Sequence, residues 1–117
     1  MAVMRGNRKK EQLRRIVLLQ EEIRLLIQYV YQQWESGKQD QRNPVPQLAY
    51  TETMEFERSR AYQDIKNMSV EMMRDMRVDK REKVLVQIEE LHQHMLSIVS
   101  AVLETIRKYS ASSYRVS

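Results

Sequence analysis

Residues 80–109 read KREKVLVQIEELHQHMLSIVSAVLETIRKY, and their apolar spacing decides the fold class. Val84, Ile88, Leu91, Met95, Ile98, Val102, Thr105 and Tyr109 step alternately by 4 and 3. That spacing keeps one face of an α-helix turned toward a packed neighbour. A second line, Leu85, Leu96, Val99, Leu103 and Ile106, runs beside the first. A helix over 80–109 therefore presents apolar surface to two neighbours at once.

Toward the N-terminus, the pattern predicts a second helix over 51–77, capped by Thr51 or Thr53, with Glu52, Glu55 and Glu57 in its first turns. Its expected buried stripe is Met54, Ala61, Ile65, Met68, Met72 and Met76, flanked by Tyr62 and Met73. No Gly or Pro follows Pro46, so one helix of about 60 residues is an alternative to two. Asp79 and Glu82 have the spacing of a capping box and favour a break near 78–80. Both versions stay open at this level.

Residues 37–50, GKQDQRNPVPQLAY, hold both prolines and read as a linker. Fully extended, it spans about 40–45 Å. Before it, residues 9–36 form the first helix, with Ile16, Leu19, Ile23, Leu26, Val30 and Trp34 on one line. Val17, Leu18, Leu25, Ile27 and Tyr31 widen its apolar surface, which calls for cover on more than one side. Gly37 stands where a C-terminal cap would end it. Three helices of about 27–30 residues each measure about 40–45 Å. Matched lengths suit a single all-α domain over 9–109, a bundle or hairpin with coiled-coil-like packing, closed within one chain or by oligomerisation.

Composition agrees. The 117-residue chain is 42% hydrophobic, with two glycines and two prolines, too few for a turn-rich β fold. It has no cysteine, hence no disulfide and no thiolate metal site. The longest apolar run, Ile16 to Leu19, is too short for a membrane span or a signal-peptide core, which points to an intracellular, cytoplasmic protein. Of the net charge of +4, residues 1–15 contribute +5 and the remainder −1. The basicity belongs to an N-terminal arm, with residues 1–8 expected to be flexible, as is the tail 110–117.

Five of the eight methionines fall in the second helix. Methionine adapts its shape at little cost, which suits a tolerant core and equally a surface that accepts varied partners. Met72 and Met73 are adjacent and so face different ways. The expected partner-binding residues are Met68, Met72, Met73 and Met76, with Leu96, Val99, Leu103 and Ile106.

The basic residues Arg5, Arg8, Lys9, Lys10, Arg14 and Arg15 are the alternative site, for nucleic-acid phosphates. No aromatics interleave them for base stacking. Arg14 and Arg15 oppose the macrodipole at the start of the first helix, a small cost that hints at a partner. A remote third reading is a di-metal carboxylate bundle, because Glu89 and His92 have E-x-x-H spacing. Such a site needs a second E-x-x-H, and the chain has one other histidine, His94, turned about 200° away. No nucleophile–base pair or Gly-rich loop is present, so the chain reads as a non-enzymatic protein with no cofactor and no small-molecule substrate.

Two stretches resemble known families in part. Trp34-Glu35-Ser36-Gly37 resembles the Trp-X-Gly turn of the small secreted helical hairpins of type VII systems, with one residue too many. Ile88-Glu89-Glu90-Leu91-His92-Gln93, continuing to Ser110, is similar to the last helix of flagellar and type III export chaperones, small helical bundles that bind their clients' amphipathic helices. That likeness implies a chaperone-like form of a general expectation: a helical adaptor, assembly subunit or small chaperone that binds protein partners and itself.

Overall fold

The computed structural model describes the backbone of residues 2–39 and 46–116, and the side chains of 8–37 and 46–108. Five helices carry the described backbone: α1 (Ala2–Gln39), α2 (Gln47–Arg58), α3 (Arg60–Lys66), α4 (Val70–Arg74) and α5 (Val78–Val116). No strand occurs among the described residues, and no helix there is long and apolar enough to cross a membrane.

Cross-helix pairs give the topology. Arg8 meets Glu82, Arg15 meets Glu89 and Glu22 meets His92, so numbers rise together and α1 and α5 run parallel. The segment between them returns antiparallel: Tyr31 bonds Glu57 at 2.8 Å, whereas Gln20 reaches the carbonyls of Ile65 and Met68 at 2.8 and 3.3 Å. The result is an all-α bundle, two long parallel helices with a broken third. Its radius of gyration is 18.2 Å, against about 13 Å for a compact globule of this length. The molecule is a rod.

The core follows the predicted lines of the long helices. Ile16, Leu19, Ile23 and Val30 of α1 are fully buried, as are Ile88, Met95 and Val102 of α5, with Val84 and Ile98 nearly so. Full burial of one such aliphatic side chain contributes about 1.5–3 kcal/mol. Leu26 and Trp34 are half-buried against this core.

Several expectations are corrected at the ends. The first helix starts at Ala2 and not near Lys9, so helix occupies most of the expected arm. Gly37 does not end it. Gly37 is buried on the core side, 7 residues after Val30, and the helix runs on to Gln39. Of the expected linker, residues 46–50 belong to the cap and first turn of α2, and 40–45 lie outside the described residues. The last helix continues through residues 110–116, where a tail was expected.

The second helix departs most. It is three short helices, and serine is the reason. Ser59 adopts φ −62° and ψ 144°, accepts a hydrogen bond from the Tyr62 amide and donates one to the Phe56 carbonyl. One residue thus closes α2 and opens α3. Ser69 opens α4 in the same way, accepting from the Met72 amide at 3.2 Å, after Asn67 has closed α3. Serine side chains compete with the helix for backbone groups, so they stop helices without Gly or Pro. Each stop resets the helical phase. The buried set is Ala49, Thr53 and Phe56, then Tyr62 and Ile65, then Met73, while Ala61 and Met72 face solvent. Neither Thr51 nor Thr53 is a cap. α2 starts at Gln47, and the buried Thr53 hydroxyl donates to the Ala49 carbonyl at 2.8 Å.

The alternative of one helix of about 60 residues is excluded by the turn at 75–77. Asp79 lies inside the first turn of α5 and does not cap it. The corner is held by Arg81, whose guanidinium donates to the Met76 carbonyl and, at 3.0 Å, to Gln12 Oε1. Gln12 in turn donates to Glu82 Oε2 at 2.6 Å. Arg81 and Gln12 are both buried, on the core lines three residues before Val84 and four before Ile16.

Candidate interaction surface

α1 is covered by the return segment on one side only. Val17 lines a small groove with Tyr62 and Ile65 of α3. On another side a groove of about 550 Å³ is lined by α1 and α5 residues alone. Gln12 and Leu85 line it inside, Leu18 at its edge.

Beyond this groove the same helix lines carry further apolar side chains. Leu18 is 48% exposed, and Leu25, seven residues on, is 50% exposed. On α5, Leu85, Leu96 and Leu103 are spaced 11 and 7 apart and share a line; Leu103 is 50% exposed. Side chains this apolar lose by staying wet, and clustered ones mark binding surfaces on soluble chains. The methionines behave otherwise. Met73 is fully buried, Met68 and Met76 are half-buried against the core, and Met72 is 53% exposed. Met72 and Met73 do face opposite ways. Val99 also lies in the core, and Ile106 packs half-buried against it. Of the eight expected partner-binding residues, Leu96 and Leu103 share a line on the groove side of α5, whereas Met73 and Val99 serve this chain's own interior.

The groove walls differ in charge. Arg8, Arg14 and Arg15 project from α1, together with Glu11; Glu82 and Glu89 project from α5. Arg8 lies 3.8 Å from Glu82 and Arg15 lies 3.7 Å from Glu89, with all four side chains about half exposed or more. Pairs of that length and exposure are worth little in stability. They do occupy two of the five described cations of the basic arm, leaving Lys9, Lys10 and Arg14; the Arg5 side chain lies outside the described residues. That division counts against a continuous phosphate-binding stripe.

The E-x-x-H pair is likewise engaged with α1. Glu89 faces Arg15, and His92 Nε2 lies 2.7 Å from Glu22 Oε2. Among the described residues no three His, Asp or Glu gather as a metal cluster. His94 points elsewhere, edge-on to Phe56 at 5.4 Å.

At the far end, Trp34 stacks on Tyr50 at 4.5 Å and Tyr31 meets Tyr50 edge-on at 5.8 Å. Burial pushes the Tyr31 phenol well above its usual range, and its bond to Glu57 adds to the shift. Burial also raises the Tyr62 phenol. Tyr31, Trp34 and Tyr50 clamp α2 to α1.

The α1–α5 groove was partly legible. Leu18 and Leu25 appeared as surplus apolar residues, although their pairing with an α5 wall needed the fold. Gln12 and Arg81 were missed, and their signal was a polar residue in register with each core line. Comparison of the chain with family models, with curated proteins and with solved structures found no match.

Proposed function

We propose that the chain is a non-enzymatic helical interaction module, an adaptor, assembly subunit or small chaperone-like protein, working inside the cell. It binds partner helices through the α1–α5 face. One observation carries the reading: Leu18, about half exposed, edges a groove lined by α1 and α5 alone, and Leu25 and Leu103, on the helix lines of Leu18 and Leu85, are exposed to the same degree. An amphipathic helix laid into such a groove buries its own apolar line and covers theirs.

The test is pull-down and solution mass measured together, on the wild-type chain and on Leu18→Glu/Leu25→Glu. Both substitutions fall on half-exposed positions, so the fold is expected to survive, with unchanged circular dichroism. The wild type should self-associate or retain a partner that the double variant loses. A wild-type monomer that captures nothing, or a partner held equally well by the double variant, sinks the reading.

A further inference from the structure

The open face is self-complementary, which identifies an occupant. Near the N-terminal ends one wall is net basic, carrying Arg8, Arg14 and Arg15 with Glu11, and the other carries Glu82 and Glu89. The pairs Arg8–Glu82 and Arg15–Glu89 within the chain are long and solvent-exposed. Further along, past the Glu22–His92 pair, each wall carries leucine: Leu25 on α1, Leu96 and Leu103 on α5. The three cross-helix pairs set an offset of 70 to 74 residues between α1 and α5. Leu25 is therefore level with residues 95–99, at the height of Leu96 and one to two turns before Leu103. Basic stands opposite acidic at one height, and leucine opposite leucine at the next.

A patch that binds its own copy must meet itself across a two-fold axis. If that axis lies across the helices, α1 meets the partner's α1 head to tail, and the arginines fall on leucines. If it lies along them, α1 meets the partner's α5 at equal height, so arginines meet carboxylates and leucines meet leucines. Only the second arrangement matches both features. The area also suffices. Thirty residues of helix measure about 45 Å, and two helices side by side are about 20 Å wide. The face is then about 900 Å² per copy, against about 800 Å² for a standard stable interface.

Resting on the reading of this face as an interaction surface, we infer that its occupant is a second copy of the chain. The two copies are related by a two-fold axis parallel to the helices, with α1 of each over α5 of the other. Four long parallel helices then form the centre, and the two return segments lie outside.

Charge exchange tests this with the full chain. Arg14→Glu/Arg15→Glu puts acid against acid in its own dimer, and Glu82→Arg/Glu89→Arg puts base against base. Sedimentation over a wide concentration range should show a wild-type dimer and at least about tenfold weaker self-association for each variant. An equimolar mixture should recover a heterodimer, since both crossed contacts are then opposite in sign. Circular dichroism checks that each variant folds, and Leu25→Glu, which leaves every ion pair intact, should separate the copies independently. A wild-type monomer at all concentrations overturns the inference, as does a dimer indifferent to Leu25→Glu, or variants that fail to recombine. A monomer that still captures another protein through Leu18 and Leu25 overturns the dimer alone and leaves the interaction reading standing.

Discussion

The two long helices and the return segment between them solve the same problem in opposite ways. α1 and α5 carry one uninterrupted phase over many turns, so Ile16, Leu19 and Ile23 meet Val84, Ile88 and Met95 along a continuous core. The return segment carries no phase for more than 12 residues, because Ser59 and Ser69 restart it. Its buried residues, Phe56, Tyr62, Ile65 and Met73, are chosen piece by piece. Stability should therefore be concentrated in the long pair, and adjustability in the return.

The largest effect should come from breaking the long pair. Ile88→Ala or Ile23→Ala removes a fully buried side chain and should cost about 2–5 kcal/mol in denaturant titration. Met73→Ala, equally buried but on the five-residue α4, should fall at or below the low end of that range, because the short helix can settle into the gap. Equal losses at all three sites would erase the contrast.

Arg81→Met comes next. It deletes the guanidinium that ties the α4–α5 corner to Gln12 and strands the buried Gln12 carbonyl oxygen. A loss of about 2–3 kcal/mol is expected. Gln12→Leu should partly restore it in the double variant, since both partners are then apolar.

Ser59→Ala should cost about 1 kcal/mol. It should also leave a longer α2–α3 helix, seen as slower amide exchange at Ser59 to Tyr62. Loss of stability without slower exchange there would mean that the kink is held by packing and not by the serine.

The smallest effect concerns alkaline pH. The Tyr31 phenol is raised in the folded chain above its ordinary value near 10. The folded state therefore holds this proton more tightly than the unfolded state does. Its contribution is complete below pH about 10 and is lost as pH rises above that. Tyr31→Phe should lower stability by about 1 kcal/mol at neutral pH and flatten the decline in alkali. A decline of equal slope in both proteins would assign the alkaline sensitivity to other groups.

Legibility followed the same division. In α5 the 4-and-3 spacing predicts Val84, Ile88, Leu91, Met95, Ile98, Val102, Thr105 and Tyr109 on the packed line. Five of these are buried, Leu91 and Thr105 are half-buried, and the Tyr109 side chain lies outside the described residues. In the return segment the same method predicts Met72 inside and finds it outside, because a period counted across Ser59 and Ser69 spans two phase resets. Glu89 and His92 show a further limit. Their E-x-x-H spacing was visible, yet Arg15 and Glu22 of α1 became their neighbours only when α5 packed parallel to α1.

By itself, the sequence determined that this protein is helical, where its two strongest apolar lines run, and that one of its helices has more apolar surface than a single neighbour covers. Those properties are local and periodic, set by propensity and side-chain spacing. The tertiary structure decided that α1 and α5 run parallel, that a buried Arg81–Gln12 contact holds the α4–α5 corner, that Leu18 edges a groove walled by α5, and that Leu25 is left half exposed rather than covered by the return segment. Helix direction and pairing are settled by contacts between residues about 70 apart in the chain. No local period records them.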